Sequence, residues 1–298
     1  MPSAREIADF VARYEPCEVS GDLDFEVERA VGLSALEANT VSFLKRRPSG
    51  DDRFERPDAL ILTKPEAAEH VIGPRIVTDN PRLAFARIVA NWFAVDWGIA
   101  GIHPTAQIAA GVRIGEDVRI GANCVIAATA VIGDRTVLHH GVIVGPGVEI
   151  GGDCIIRSNC VIGEEGFGVE ELPNDRTFRI PHIGGVRIGN HVNIGNLNSI
   201  SAGTLGPTII EDHVQIDNLV NIAHNAFVGA GSLIMPCVMM AGSARVGRRS
   251  YIGCNASITN GVSLGDDCQV GLGAVVIRNF GDNLVLAGNP ARILRNRR

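Results

Sequence analysis

The stretch that decides the fold lies at residues 216–246 and reads IDNLVNIAHNAFVGAGSLIMPCVMMAGSARV. A large aliphatic residue or methionine recurs at every sixth position, beginning with Ile216, Ile222 and Val228. A fixed short period is typical of solenoids, in which each repeat packs only on its neighbours. One inward aliphatic residue per hexad, with small or turn-forming residues between, predicts a parallel β-helix with three hexads, about 18 residues, in each coil.

The same register covers most of the chain. It holds over residues 102–162, breaks in a loop at 164–186, holds again over 188–200, slips by four residues at 204–207 and continues over 210–276. Roughly 26 hexads predict some eight or nine coils, which at about 4.8 Å per coil make a rod on the order of 40 Å long. The repeat predicts a β-helix domain over residues 101–281 with a loop at 164–187, followed by a C-terminal tail at 282–298.

Residues 1–100 lack the repeat and predict a small α/β domain. Apolar residues at helical spacing predict a helix around Ile7, and the polar residue and proline at Asn80–Pro81 predict the start of a second. Short strands are predicted at Val19–Val27, Thr40–Leu44, Ala59–Leu62 and Arg75–Thr78.

Composition excludes several functional classes. The net charge is −6 over 298 residues and the pI is about 5.8, which argues against nucleic-acid binding that depends on a cationic surface. The C-terminal residues are a local exception to this acidic composition. Two interpretations stay open for them, a solvated chain end and a contact for a phosphorylated ligand. The basic residues are Arg292, Arg295, Arg297 and Arg298. Neither a signal core nor an apolar run of about 18 residues is present, so a cytoplasmic location and no integral membrane association are expected.

The seven cysteines lack CxxC spacing, so we expect free thiols rather than disulfides or a zinc cluster. Four of them occupy the small inward slot four residues after the aliphatic position, where core packing is expected. These are Cys124, Cys154, Cys160 and Cys268.

His224 follows Ile222 by two residues, a position at a corner of the coil from which the side chain points outward. Gly242 stands at the same corner of the next coil, where its backbone N–H would be unobstructed beside the imidazole. This pair suits a general base and an oxyanion donor. Asp217 is a candidate to orient the imidazole. The pattern also fits a structural histidine, and spacing alone does not decide between the two.

Four segments carry a resemblance to a known family. They are residues 216–225 (IDNLVNIAHN), 163–168 (GEEGFG), 179–184 (RIPHIG) and 239–243 (MMAGS). Together they resemble the LpxD family, the UDP-3-O-(3-hydroxyacyl)glucosamine N-acyltransferases of lipid A synthesis. The resemblance covers nearly the whole chain. It implies a mainly β fold, a left-handed parallel β-helix preceded by a small α/β domain; spacing alone does not give the hand.

The resemblance also implies roles for individual residues. His224 would take a proton from the substrate amine as it attacks a thioester carbonyl, Asp217 would steady the histidine, and the Gly242 amide would hold the oxyanion. Phe43 matches the aromatic residue on which the family stacks uracil, which makes residues 1–100 a uridine-binding-like domain; a strand aromatic in that domain's core is the alternative. Substrate-binding roles are also predicted for Asn218, Asn225, Phe167 and His182.

The implied acceptor is a nucleotide-linked amino sugar, and the implied donor is an acyl thioester carried by acyl carrier protein or coenzyme A. The implied assembly is a homotrimer with active-site clefts between neighbouring β-helices. No tightly bound cofactor and no metal are expected, because a thiolate is already a good leaving group.

Some features depart from the family. No histidine follows His224, residues 201–203 read Ser-Ala-Gly where the family has Asp-Arg-Gly, and residues 45–49 lack the tyrosine expected after Phe43. In place of the family's long C-terminal helical extension, residues 287–294 (AGNPARIL) resemble the end of acetyl-CoA-dependent hexapeptide transferases. They give a candidate set of coenzyme-A-binding residues: Gly288, Asn289, Pro290 and Arg292.

The sequence therefore favours an amino-sugar N-acyltransferase of the LpxD type. The alternatives are an acetyl-CoA-dependent N-acetyltransferase of surface polysaccharide synthesis, a metal-dependent hydratase of the γ-carbonic-anhydrase type, and a non-catalytic rod. The hydratase needs two histidines about five residues apart on one face, which His213 and His224 do not match. The loop at 164–187 is expected to cover the active-site groove.

Overall fold

A computed structural model of the chain describes residues 1–49 and 52–297. The chain falls into two units, Met1–Trp97 and Gly98–Arg298, so the boundary lies close to the predicted position 100. No helix among the described residues is long and apolar enough to cross a membrane.

The first unit contains a five-stranded sheet flanked by helices. Its strands, in order across the sheet, are Glu18–Ser20, Arg75–Val77, Ala59–Thr63, Thr40–Leu44 and Arg29–Ala30. The first pair is antiparallel and the others are parallel. A separate short pair joins Phe54–Glu55 to Val71–Ile72. The helices are Ala4–Ala12, Pro81–Ile88 with a π-helical turn at Val89–Phe93, and the 3-10 helices Leu33–Ala35 and Pro65–His70.

Local sequence explains both α-helix starts in this unit. Ser3 and Glu6 form a capping box at the first helix, and the Asn80 side chain accepts the Leu83 amide at the second. The strand predicted to run on to Val27 is wrong, because the strand ends at Ser20. Gly21 turns the chain there with a φ of +90°, a conformation that side chains rarely adopt.

The second unit is the predicted parallel β-helix with three faces. The first face contains Gln107–Ile108, Val125–Ile126, Ile143–Val144, Val161–Ile162, Ser199–Ile200, Asn221–Ile222, Met239–Met240, Ser257–Ile258 and Val275–Val276. The second face contains Arg113–Ile114, Val131–Ile132, Val148–Ile150, Val186–Ile188, Thr208–Ile210, Phe227–Val228, Arg245–Val246 and Ser263–Leu264. The third face contains Arg119–Ile120, Val137–Leu138, Ile155–Ile156, Asn193–Ile194, Gln215–Ile216, Leu233–Ile234, Tyr251–Ile252, Gln269–Val270 and Leu284–Ala287, with Arg292–Asn296 added antiparallel at its end.

The register stacks like on like. Ile126 pairs with Val144, and Ile222 pairs with Met240, so each aliphatic position packs on the same position of the next coil. The resulting core is continuous along the β-helix. The four cysteines predicted to face inward are fully buried, and burial raises the pKa of each thiol, which keeps it protonated and unreactive.

The chain turns at three corners in each coil. We call the turn from the first face to the second the first corner, that from the second to the third the second corner, and that from the third back to the first the third corner. The third residue after the aliphatic position commonly has a positive φ, as at Asn123 and Asn225, where asparagine is better tolerated than most residues. His224 lies at the first corner and Asp217 at the third.

Both interruptions of the repeat fall at the first corner. The loop between Val161–Ile162 and Val186–Ile188 carries an antiparallel hairpin of Val169–Leu172 and Arg176–Arg179. One coil later, the segment between Ser199–Ile200 and Thr208–Ile210 contains the four-residue slip at 204–207. The His224 corner follows on the next coil, so both irregular segments precede it on the same edge.

Candidate active site

His224 sits on a rigid scaffold. Ile222, two residues before it, is fully buried and pairs in register with its neighbours on the first face, while Ala226 fills the small inward slot two residues after it. The half-buried imidazole therefore projects from a corner whose backbone is fixed on both sides. Sites on such regular elements are held more precisely than sites on loops.

Asn225 fixes the tautomer of His224. The amide nitrogen of Asn225 donates to the Gly206 carbonyl at 3.2 Å, and its Oδ1 accepts from the Thr204 hydroxyl at 2.8 Å. Oδ1 is also 3.1 Å from Nδ1 of His224, so that ring nitrogen carries the proton and donates it. Nε2 of neutral His224 then carries the lone pair that a general base requires.

The Nε2 edge of the imidazole faces Gly242. A Cβ placed on Gly242 would lie 2.6 Å from both Cε1 and Nε2 of His224, and 2.8 Å from Oδ1 of Asn260. Any side chain there would displace the histidine. The glycine therefore allows the backbone of the next coil to approach the imidazole closely.

The Gly242 amide is also open. At equivalent positions of other coils the backbone N–H donates to a side-chain oxygen one coil on: Glu116 to Asp134 at 2.9 Å, Asn196 to Asn218 at 2.7 Å, and Arg248 to Asp266 at 2.8 Å. The N–H of Gly242 has no acceptor within residues 1–49 and 52–297, although Ala241 and Ser243 beside it both donate to carbonyls. This position elsewhere holds a carboxylate or amide oxygen, so the free amide is suited to a developing oxyanion.

The loop returns a second histidine to this corner. The His182 ring lies 4.9 Å from the His224 ring, centroid to centroid, at an interplanar angle of 63°. Gly166, also from the loop, packs against both rings, since a Cβ there would be 2.7 Å from Cβ of His224 and 2.9 Å from Nε2 of His182. The loop therefore touches the candidate base, in agreement with its expected place over the groove.

Phe167 lies beside this contact and is 74% exposed. The Arg179 guanidinium stands 5.5 Å from its ring centroid, donates to the Gly166 carbonyl at 2.8 Å and lies 3.8 Å from Glu165. These contacts leave the aromatic face accessible and balance the cation with a carboxylate. The predicted substrate-binding role of Phe167 stays a prediction.

Asp217 and His224 do not meet within one chain. They flank the strand Asn221–Ile222 at opposite corners, and no ion pair within 4.0 Å joins them. Asp217 Oδ1 instead accepts the backbone N–H of Asn218 at 2.7 Å. Asp217 and Asn218 line an open cleft of about 410 Å³ at the third corner, together with Arg157, Asn193, Asn196 and Gln215.

The other predicted contacts come from other parts of the sequence. Phe43 is half-buried in the strand Thr40–Leu44, and its ring packs on Phe85 with centroids 5.0 Å apart, as its alternative role in the core requires. Gly288, Asn289 and Pro290 form the turn between the last two strands, where the Asn289–Pro290 bond is cis, and Arg292 begins the last strand. Their ligand-binding roles are untested.

Sequence reasoning missed two contacts at the site. These are the contacts of Asn225 with Nδ1 of His224 and of His182 with the His224 ring. The predicted substrate-binding roles of Asn225 and His182 stay predictions. The signals available were the adjacency of His224 and Asn225 and the location of loop and slip on the same corner.

Comparisons with known proteins agree with this geometry. Residues 100–128 and 129–164 match the bacterial transferase hexapeptide family (six repeats), and residues 243–278 match the hexapeptide repeat of succinyl-transferase. The fold is similar to UDP-N-acetylglucosamine O-acyltransferase of Moraxella catarrhalis, with a TM-score of 0.60 and 28% identity over 65% of this chain and 74% of that one. The fold is also similar to UDP-N-acetylglucosamine acyltransferase of Campylobacter jejuni, with a TM-score of 0.59 and 25% identity over 65% of this chain and 74% of that one. The fold and corner site thus define a hexapeptide-repeat acyltransferase with the left-handed β-helix that was expected.

Curated relatives show to which family of hexapeptide-repeat acyltransferases the chain belongs. The chain is 32% identical to UDP-3-O-acylglucosamine N-acyltransferase of Herminiimonas arsenicoxydans, over 87% of this chain and 81% of the relative. It is 35% identical to the enzyme of the same name from Delftia acidovorans, over 91% of this chain and 82% of the relative. The chain belongs to the UDP-3-O-acylglucosamine N-acyltransferase family, the LpxD family, and is an acyltransferase. The hydratase and the non-catalytic rod are thereby set aside.

Proposed function

We propose that this protein transfers an acyl group from a thioester to the amine of UDP-3-O-acylglucosamine, with His224 as general base. The observation that carries the proposal is the close approach of the Nε2 edge of His224 to the Gly242 backbone, whose N–H has no acceptor among the described residues. Relatives at 32–35% identity that are named for this N-acyl transfer support the choice of substrate.

The proposed reaction uses two groups of the protein, Nε2 of His224 and the backbone N–H of Gly242. The amine nitrogen attacks the thioester carbonyl, and Nε2 of His224 takes the proton that the nitrogen loses. The carbonyl oxygen becomes an oxyanion that accepts the Gly242 N–H, and Asn225 stabilises the imidazolium through Nδ1–H. The C–S bond then breaks, His224 returns the proton to the leaving thiolate, and an amide remains. A general base contributes roughly 10² to 10⁴ in rate, and one oxyanion donor about 10² to 10³.

The proposed assembly is a homotrimer, and it gives Asp217 a place in the site. Because Asp217 and His224 lie at different corners of one chain, we propose that Asp217 of one subunit faces His224 of the next across a cleft between β-helices. Such a site needs two copies of the chain. In this arrangement Asn218, beside Asp217, and Phe167, beside the loop contact, would face the sugar and its acyl chain.

The predicted acyl donor, its contact residues, the role of Phe43 and the location of the protein belong to the same proposal. The acyl donor is carried by acyl carrier protein or coenzyme A, and the turn at Gly288–Pro290 with Arg292 is the proposed contact for its phosphopantetheine end. Phe43 is proposed to stack on uracil through the part of its ring that Phe85 leaves open. A cytoplasmic location is proposed because nucleotide sugars and acyl thioesters are cytoplasmic metabolites.

The test is thiol release by the purified protein, with 3-hydroxyacyl carrier protein and acyl-CoA offered in parallel against UDP-3-O-acylglucosamine and other UDP- and dTDP-linked amino sugars. We expect turnover with UDP-3-O-acylglucosamine and a fall of at least about 10² in His224→Ala. His213→Ala, a matched change at the second corner, should keep wild-type turnover.

Full turnover by His224→Ala would remove the histidine from the mechanism. Turnover only with acetyl-CoA and a different amino sugar would replace the proposed substrate by that of the alternative N-acetyltransferase.

A further inference from the structure

The loop histidine is held in an unusual environment. His182 is only 7% exposed, and its Nδ1 lies 2.8 Å from the Ile180 carbonyl, to which it donates. Nε2 is fully enclosed and has no hydrogen-bond partner in the described part of the chain. Buried side-chain nitrogens are rarely left unpaired, so the unpaired Nε2 calls for an explanation beyond the hydrogen bond that Nδ1 makes.

The loop sequence is built to seat this ring. Gly166 and Gly168 lie on it so closely that a Cβ would stand 2.9 Å from Nε2 at the first and 3.1 Å from Cε1 at the second. The donor role of Nδ1 leaves a lone pair on Nε2, and no carboxylate pairs with the ring. His182 therefore packs as a flat aromatic wall.

That wall lies against His224. With a centroid separation of 4.9 Å, His182 contacts the His224 ring, while Asn225 holds Nδ1 and the Gly242 backbone faces Nε2. The three contacts restrain the imidazole in position and direction. Removing the loop contact would free the ring to rotate away from Gly242.

Charged groups near the pair are already paired or engaged elsewhere. Arg179 lies 3.8 Å from Glu165 and donates to the Gly166 carbonyl. On the next coil the corner residues beside His224 are Gly242 and Ser243, which carry no charge. The contact between the two rings is therefore a packing contact rather than an ion pair.

We propose that His182 is a positioning residue: its ring locks His224 in the orientation that faces the Gly242 backbone, and the loop thereby completes the base. This inference rests on the proposed function of His224. It gives the loop a role in the chemical step, and it places in the loop the second histidine that the region after His224 lacks.

The test compares three substitutions in the full-length protein. His182→Ala removes the wall and should lower kcat by about 10- to 100-fold, because a base displaced by about 1 Å loses that much, while KM changes less than about twofold. His182→Phe keeps a flat ring and should stay within about threefold of wild type. Phe178→Ala, an exposed change on the same hairpin, is the matched control and should leave kcat unchanged.

A second measurement does not depend on turnover. Nitrogen-15 NMR of histidine-labelled protein should show a single Nδ1–H tautomer for His224 in wild type and in His182→Phe. In His182→Ala the freed ring should rotate away from Oδ1 of Asn225, which otherwise fixes the tautomer, so the signals should be averaged between tautomers. If this averaging appears while His224→Ala is fully active, the contact is real and the proposed base is wrong, so the two failures are distinguishable.

Other outcomes would overturn the proposal. Recovery of kcat by His182→Gln but not by His182→Phe would mean that the lone pair, rather than the ring, is used. A rise in KM alone would make His182 a substrate contact. An unchanged kcat and a single tautomer in His182→Ala would leave it no positioning role.

Discussion

Asn225 occupies a corner position where the backbone has a φ of 59°, and its side chain sets the chemistry of the residue before it. Asparagine tolerates this conformation, and its short amide can reach the preceding imidazole. Thr204 and Gly206, both in the four-residue slip, orient that amide. The slip, which has no explanation in the repeat itself, thus helps to fix the tautomer of His224.

Gly242 gives the residue-scale prediction. Gly242→Ala should lower kcat by at least about 10²-fold, because the new Cβ would overlap the His224 ring at 2.6 Å and shift it from the oxyanion site. The β-helix should still form, since Gly242 does not need a positive φ. Steady-state kinetics and circular dichroism measure the two effects.

Gly281→Ala is the matched control, because a Cβ there meets nothing within 4 Å. It should match wild type in both measurements. Near-wild-type kcat in Gly242→Ala would show that the corner does not need the bare backbone.

At the scale of the element, the coils carry buried polar groups whose charge state depends on packing. His139 is buried in the third face at the end of Val137–Leu138. Burial lowers its pKa from the ordinary 6.5, and the cations Arg157 and Arg119 act in the same direction. The folded chain therefore holds this histidine neutral.

The sign of the pH effect follows from that shift. The unfolded chain binds a proton at His139 more readily than the folded chain, so its contribution to stability is complete above pH 6.5 and is lost as the pH falls through the lowered folded pKa. His139→Gln should reduce the loss of Tm between pH 7.5 and pH 5.5. One such group changes the free energy of unfolding by at most about 1.4 kcal/mol per pH unit.

Thermal unfolding of wild type and variant across that range measures the difference. His103→Gln, at an exposed position of the first coil, should keep the wild-type pH dependence. Parallel curves for wild type and His139→Gln would mean that the buried histidine is not protonated on unfolding.

At the scale of the whole molecule, one chain does not complete the predicted set of catalytic residues. Asp217 and His224 sit at opposite corners, so a site that uses both needs a second copy. His224 and Gly242, in contrast, come from adjacent coils of one chain. The proposed base and the proposed oxyanion donor are therefore positioned by the solenoid, while the proposed contribution of Asp217 depends on assembly.

Complementation tests that dependence. His224→Ala and Asp217→Ala, each nearly inactive, should together recover about one third of wild-type turnover in mixed trimers, because one of the three sites in each then pairs an intact His224 with an intact Asp217 of its neighbour. Separate affinity tags on the two variants isolate mixed assemblies. Absence of recovery in verified mixed trimers would contradict the shared site, and full turnover by Asp217→Ala alone would remove the aspartate from it.

The repeat by itself determined the β-helix, the inward aliphatic positions, the buried cysteines and the corner positions of His224 and Gly242. This was possible because each hexad packs on the equivalent hexad of the next coil, a fixed number of residues away. The period of the sequence therefore also gives the register between coils. The family resemblance supplied the left hand and the acyltransferase class, which spacing could not.

Only the tertiary structure decided what surrounds the imidazole. The contacts of His224 with His182, and of Asn225 with Thr204 and Gly206, join the repeat to two irregular insertions, and no period in the sequence specifies where such a segment returns. The sequence therefore determined the scaffold, whose contacts recur, and the three-dimensional structure decided the site, whose contacts occur once.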